Sequence, residues 1–169
     1  MDVANALPSV VVAVVAVTAV VSGPLVSVDL TPDPTTCDED VRPERGNASV
    51  TVRSLPDRAT LSRSEFGADV WRLDIPPARV NVTDIEGRPT VSYRIQIPEL
   101  GRTAGIRTVF SHCTTGRVPL RIDQPTFQPE TVDNETYDAT LFVTYRGTEN
   151  GTKVERTLAE RNVTVVVRE

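Results

Sequence analysis

The stretch that decides the fold is "DNETYDATLFVTY", residues 133–145. Tyr137, Ala139, Leu141, Val143 and Tyr145 are apolar, and Asp138, Thr140 and Thr144 stand between them, with Phe142 the one apolar residue out of step. A period of two sends successive side chains to opposite faces of an extended chain, whereas a helix would need spacings of three and four. The segment is also rich in aromatic and β-branched residues, which suit a pleated, half-buried surface. It predicts a strand with one face in a core, entered through a turn at Asp133-Asn134.

The same rule extends outward in both directions. Val50 and Val52 alternate with Thr51 and Arg53, and Trp71, Leu73 and Ile75 with Arg72 and Asp74. Val91, Tyr93, Ile95 and Ile97 alternate with Ser92, Arg94 and Gln96; Val118, Leu120 and Ile122 follow, then Val163, Val165 and Val167. Breaks fall at Gly87-Arg88-Pro89, from Pro98 to Gly101, at Gly116 and from Gly147 to Gly151. Seven to nine short strands, each with one apolar face, predict an all-β, antiparallel β-sandwich. Trp71, Tyr93, Tyr137 and Tyr145 read as core.

Residues 133–145 resemble the corner and following strand of immunoglobulin-like domains, with Tyr137 at the corner-tyrosine position, and "RNVTVVVRE" resembles their last strand. The resemblance covers about 30 residues and implies an immunoglobulin-like architecture, with no specific activity. The chain departs from the family where an inter-sheet cysteine would stand, because that position is Ala139, and the spacing of Trp71 to a cysteine does not fit either.

At the other end, "SVVVAVVAVTAVVSG" (residues 9–23) lies in a run of 26 uncharged residues between Asp2 and Asp29. As a helix that run would reach about 39 Å, against about 30 Å for a hydrocarbon core. It is too long for a buried strand. Residues 1–29 are expected to form an N-terminal hydrophobic helix that anchors the chain in a membrane; the alternative is a cleaved signal followed by secretion. A site such as Val17-Thr18-Ala19 suits cleavage, but Pro24 spoils the position after Gly23, and no positive n-region precedes the run. Residues 30–47, "LTPDPTTCDEDVRPERGN", are acidic and Pro-rich and read as a stalk; residues 48–169 are the sandwich domain.

The side of the membrane follows from the asparagines. Of six, five begin an N-x-[ST] sequon: Asn47, Asn81, Asn134, Asn150 and Asn162. Such a set points to an N-glycosylated, extracellular segment. The alternation scheme puts Asn81 and Asn162 at outward strand positions and the other three in turns. Cys37 and Cys113 are the only cysteines. In an exported chain they read as one disulfide, which closes a loop of about 76 residues and contributes about 3–4 kcal/mol in the loop-entropy model.

Formal net charge is −5 and the basic residues are scattered, so no nucleic-acid face is expected. Arg outnumbers Lys 17 to 1. This bias in an acidic, Val/Thr/Asp-rich chain resembles the small exported, N-terminally anchored surface proteins of halophilic archaea, although a GC-rich genome leaves the same excess. No catalytic constellation emerges. His112 is the single histidine, no G-x-S-x-G elbow is present, and Cys113 is committed to the disulfide. A metal site from Cys37, His112 and Cys113 lacks the usual ligand spacing, so neither metal nor cofactor is expected.

The expected role is therefore a non-catalytic binding or envelope-associated module at the cell surface. Its partners would be the membrane, through the N-terminal helix, and a protein or glycan of the envelope. Phe142 and Val166, apolar residues on outward parity, are candidate contacts. A subunit of a surface filament is the structural alternative, and an exported hydrolase a third.

Overall fold

The computed structural model describes residues 43–64 and 67–168. The anchor or signal, residues 30–42 of the stalk, and Cys37 lie outside them. Among the described residues most of the chain is strand: β1 (Arg45–Ser54), β2 (Arg58–Arg63), β3 (Trp71–Asp74), β4 (Ala78–Arg88), β5 (Thr90–Ile97), β6 (Arg102–Val109), β7 (Gly116–Leu120), β8 (Thr126–Phe127), β9 (Thr136–Glu149) and β10 (Thr152–Arg168). A 3-10 turn, Pro129–Thr131, lies between β8 and β9.

The strands form two sheets, a small one in the order β1-β4-β7 and a large one in the order β6-β5-β9-β10-β2-β3-β8. This is the all-β, two-sheet arrangement that the alternation predicts. Most of the positions read as apolar faces meet in one core, where Leu73, Val91, Tyr93, Leu141, Val143, Tyr145 and Val165 are fully buried, while Val50, Val52, Val118 and Val167 are half-buried against it. Leu61, Val80 and Val82, which the alternation sets did not include, are fully buried as well. Burial of each such side chain stabilises the fold by about 1.5–3 kcal/mol before the entropy of ordering is counted.

Two expectations change. Ten strands are present among the described residues instead of seven to nine, because β2 and β8 are short and β6, at an edge, carries little apolar alternation. The pairing is also not wholly antiparallel, since β2 runs parallel to β10, with Arg58 opposite Thr164 and Ser62 opposite Arg168. After β1 the chain leaves the small sheet at Leu55-Pro56 and crosses to the large one. A crossover, unlike a hairpin, is free to deliver a strand in the same direction as its neighbour. The expected break at 147–151 narrows to Asn150-Gly151, whose φ values of 50° and 76° make the two-residue left-handed turn suited to a twisted hairpin.

Tyrosine hydroxyls tie the corners. Tyr137 accepts the N–H groups of Asp133 (2.8 Å) and Asn134 (3.0 Å) and donates to Asp133 Oδ1 (3.0 Å). Tyr145 accepts Ala48 N–H at 3.2 Å and donates to Asn47 Oδ1 at 3.1 Å, joining β9 to β1 across the sheets. Tyr93 donates to the Pro76 carbonyl at 3.2 Å.

Burial pushes the Tyr93 phenol well above its ordinary value, and burial is also the main reason that Tyr145 is raised. An unfolded tyrosine ionises near pH 10, so above about that pH the unfolded chain binds fewer protons than the folded one. The stability these groups contribute is complete below about pH 10 and is lost as pH rises beyond it. The melting temperature is therefore expected to fall between about pH 9 and about pH 12, with a shallower fall in Tyr93→Phe. An equally steep fall in that variant would show that Tyr93 is not the group responsible.

Candidate binding surface

Of the four sheet edges, three are short or interrupted. β8 has two residues, β7 has five and includes Pro119, and β1 is broken by register shifts at Asn47/Ser49 and Val52/Ser54. The fourth is β6. It keeps unbroken antiparallel register with β5 over eight residues, from Thr90 opposite Val109 to Ile97 opposite Arg102. β6 contains no proline and no bulge, the usual devices that blunt an edge, and has one inward-parity charge, Arg102, at its first position.

The hydrogen-bond phase of this edge follows from Phe110 N–H, which donates to the Pro89 carbonyl just beyond the ladder. Alternation from that pair turns the backbone groups of Arg102, Ala104, Ile106 and Thr108 toward β5. Those of Thr103, Gly105, Arg107 and Val109 then face away from the sheet, where no strand pairs with them among the described residues.

A depression lies on each side of the edge. The inner one, about 280 Å3, lies between β6 and β8 and is lined by Leu73, Ile95, Ile97, Ala104, Pro125 and Phe127. The Arg102 guanidinium stands at its side, 6.0 Å from the centre of the Phe127 ring. Ala104 and Ile106, opposite the buried Ile95 and Tyr93, point to the core side yet are only half-buried. They lack a neighbour on the side where the sheet ends.

The outer depression, about 310 Å3, is lined by Ser92, Arg94, Thr103, Gly105, Arg107 and Arg146. Gly105 explains how Arg94 lies there: a Cβ on Gly105 would stand 2.4 Å from Arg94 Cγ, so the arginine stem leans across the bare backbone toward the free edge. Arg107 donates to Glu44 at 2.9 Å, and Arg146 lies between Glu44 (3.6 Å) and Glu155 (3.0 Å). The Glu155 hydrogen bond is the main cause that holds the Arg146 guanidinium still more firmly protonated. Three guanidiniums against two carboxylates, Glu44 and Glu155, thus leave this strip positive in an acidic chain, with Arg94 outside these ion pairs.

The residues singled out in the sequence lie elsewhere. Phe142, on the same outer face, stands opposite Arg94 and Glu160, and Val166 opposite Thr60 and Thr136. Both are half-buried instead of exposed, because the seven-stranded sheet places a strand on each side of β9 and β10. Asn134, Asn150 and Asn162 are exposed, before β9, in the β9–β10 turn and on the outward side of β10 respectively, and Asn81 is half-buried on β4. Asn47 is exposed but sits within β1, not in a turn, because β1 begins at Arg45. His112 and Cys113 are exposed between β6 and β7, and Cys113 is not a free thiol. No group of His, Cys, Asp and Glu among the described residues is placed to hold a metal ion.

No protein-family model, no curated protein and no solved structure matches the chain.

Proposed function

We propose that this chain is a membrane-anchored, N-glycosylated β-sandwich of immunoglobulin-like architecture, displayed on the outer face of the cell, and that it works by binding without catalysis. The observation that carries this reading is the distribution of the sequons. Asn47, Asn134, Asn150 and Asn162 are exposed and Asn81 is half-buried, on strands and turns of both sheets. A glycan at any of the four exposed asparagines would project from the surface without displacing core. Tyr137, bonded back to the two residues at the corner, supports the immunoglobulin-like architecture. The pairing of Cys37 with Cys113 belongs to the same reading, since an exported domain with two cysteines is a natural host for one disulfide.

Intact-mass measurement of the native protein, with and without reduction, tests it. The expected mass contains residues 1–29, exceeds that of the bare chain by one or more glycans, and rises by two hydrogen atoms on reduction. A glycosylated mass lacking the first 19 or 23 residues would move the protein to the secreted alternative. A bare, full-length mass with no change on reduction would overturn external display.

A further inference from the structure

We infer that the free edge of β6 is a strand-addition site, and that its occupant is an extended peptide segment alternating apolar and acidic side chains. The assignment rests on the reading of the domain as a binding module and locates where that binding occurs.

Three observations select this occupant. First, the outward backbone groups of Thr103, Gly105, Arg107 and Val109 offer a ladder that only another extended backbone satisfies along its length. Second, side chains on one face of such a strand would continue the row of Ala104 and Ile106, over the apolar hollow between β6 and β8. That face must be apolar. Third, side chains on the opposite face would emerge beside Arg94 and Arg107. Arg94 has no ion-pair partner among the described residues, and Arg107 shares Glu44 with Arg146. That face is best filled by carboxylates, with the charge complementarity that gives a polar rim its specificity.

The charge also argues against a second copy of the chain. Two β6 strands side by side would place the Arg107 side chains of both copies on one strip, with Arg94 of each copy on the next strand out, and like charges gathered on one face of adjoining strands repel.

The test uses the purified full-length chain and two eight-residue peptides, one alternating Val with Glu and one alternating Val with Lys, read by amide hydrogen exchange and by titration. The Val/Glu peptide is expected to bind and to slow exchange at Gly105 and Arg107 at least tenfold, and the Val/Lys peptide to leave both unchanged. The double variant Arg94→Glu with Arg107→Glu is expected to reverse that preference. Thr103→Pro removes one outward N–H and spares the β5 ladder, so it is expected to weaken the Val/Glu peptide at least tenfold with β5 exchange unaltered. Three results would overturn the proposal: Gly105 and Arg107 already protected in the free chain, equal binding of both peptides, or undiminished binding by Thr103→Pro. Failure here with glycans and the disulfide present in the intact mass removes this edge but leaves the surface module standing. Protection of β6 in a bare, fully reduced protein would keep the edge and remove the display.

Discussion

Gly46→Ala is expected to destabilise the domain by about 2–6 kcal/mol, a strained backbone and a steric clash each contributing roughly 1–3. Gly46 has a φ of +127°, a conformation that a residue with a Cβ rarely adopts. A Cβ built there would stand 2.0 Å from the Glu86 carbonyl oxygen and 2.6 Å from Arg88 N, both backbone atoms of β4. No rotamer change relieves such contacts; the end of the β1–β4 ladder must open. The opening would also disturb β9, because the Gly46 carbonyl lies 2.6 Å from where a Cβ on Gly147 would be. Gly151→Ala is the control. Its φ is +76°, but nothing lies within 4 Å of its Cβ position, so backbone strain alone remains, about 1 kcal/mol. Urea denaturation of the two variants reads the difference. Equal losses would mean that the close approach of β1 to β4 does not exist in solution.

Tyr137→Ala is the second large loss, about 3–5 kcal/mol, the range for a large buried aromatic cut to alanine. The ring is almost completely buried, and its hydroxyl bonds Asp133 N–H, Asn134 N–H and Asp133 Oδ1. Tyr137→Phe separates the two contributions. It keeps the ring and deletes the hydroxyl, and since the corner is partly open to water the expected cost is about 1–2 kcal/mol. A phenylalanine variant as stable as the parent would show that the corner bonds contribute nothing net. A cost as large as that of alanine would place the stability in the corner and not in the core.

How legible the molecule was depended on where each strand sits in its sheet. β9 and β5 lie between two other strands and bury one whole face, so Tyr137 to Tyr145 and Val91 to Ile97 alternate clearly, Phe142 alone excepted. β6 has a strand on one side only. Its inward positions, Arg102, Ala104, Ile106 and Thr108, are too exposed to demand large apolar side chains, and the period of two fades. β2 is short, and the first half of β10 extends beyond the span that β2 covers. The weak alternation of Ala104 and Ile106 with Thr103 and Arg107 was the only signal that could have marked the candidate site. Phe142 and Val166 drew attention because they break the pattern, yet neighbouring strands half-cover both.

By itself the sequence determined the class of fold and which side chains face the core, because both follow from local periodicity and from the cost of exposing apolar surface. It also placed Asn134, Asn150 and Asn162 at exposed positions, whereas Asn81 is half-buried on β4 and Asn47 lies within β1. Strand order, the parallel β2–β10 pair and the identity of the one unblunted edge were decided only by the tertiary structure. These depend on which strands become neighbours across long stretches of chain, and backbone hydrogen bonds between neighbours are nearly blind to side-chain identity. The convergence of Arg94, Arg107 and Arg146 beside β6 has the same origin. Residues up to 52 positions apart share that face only because β5 lies between β6 and β9.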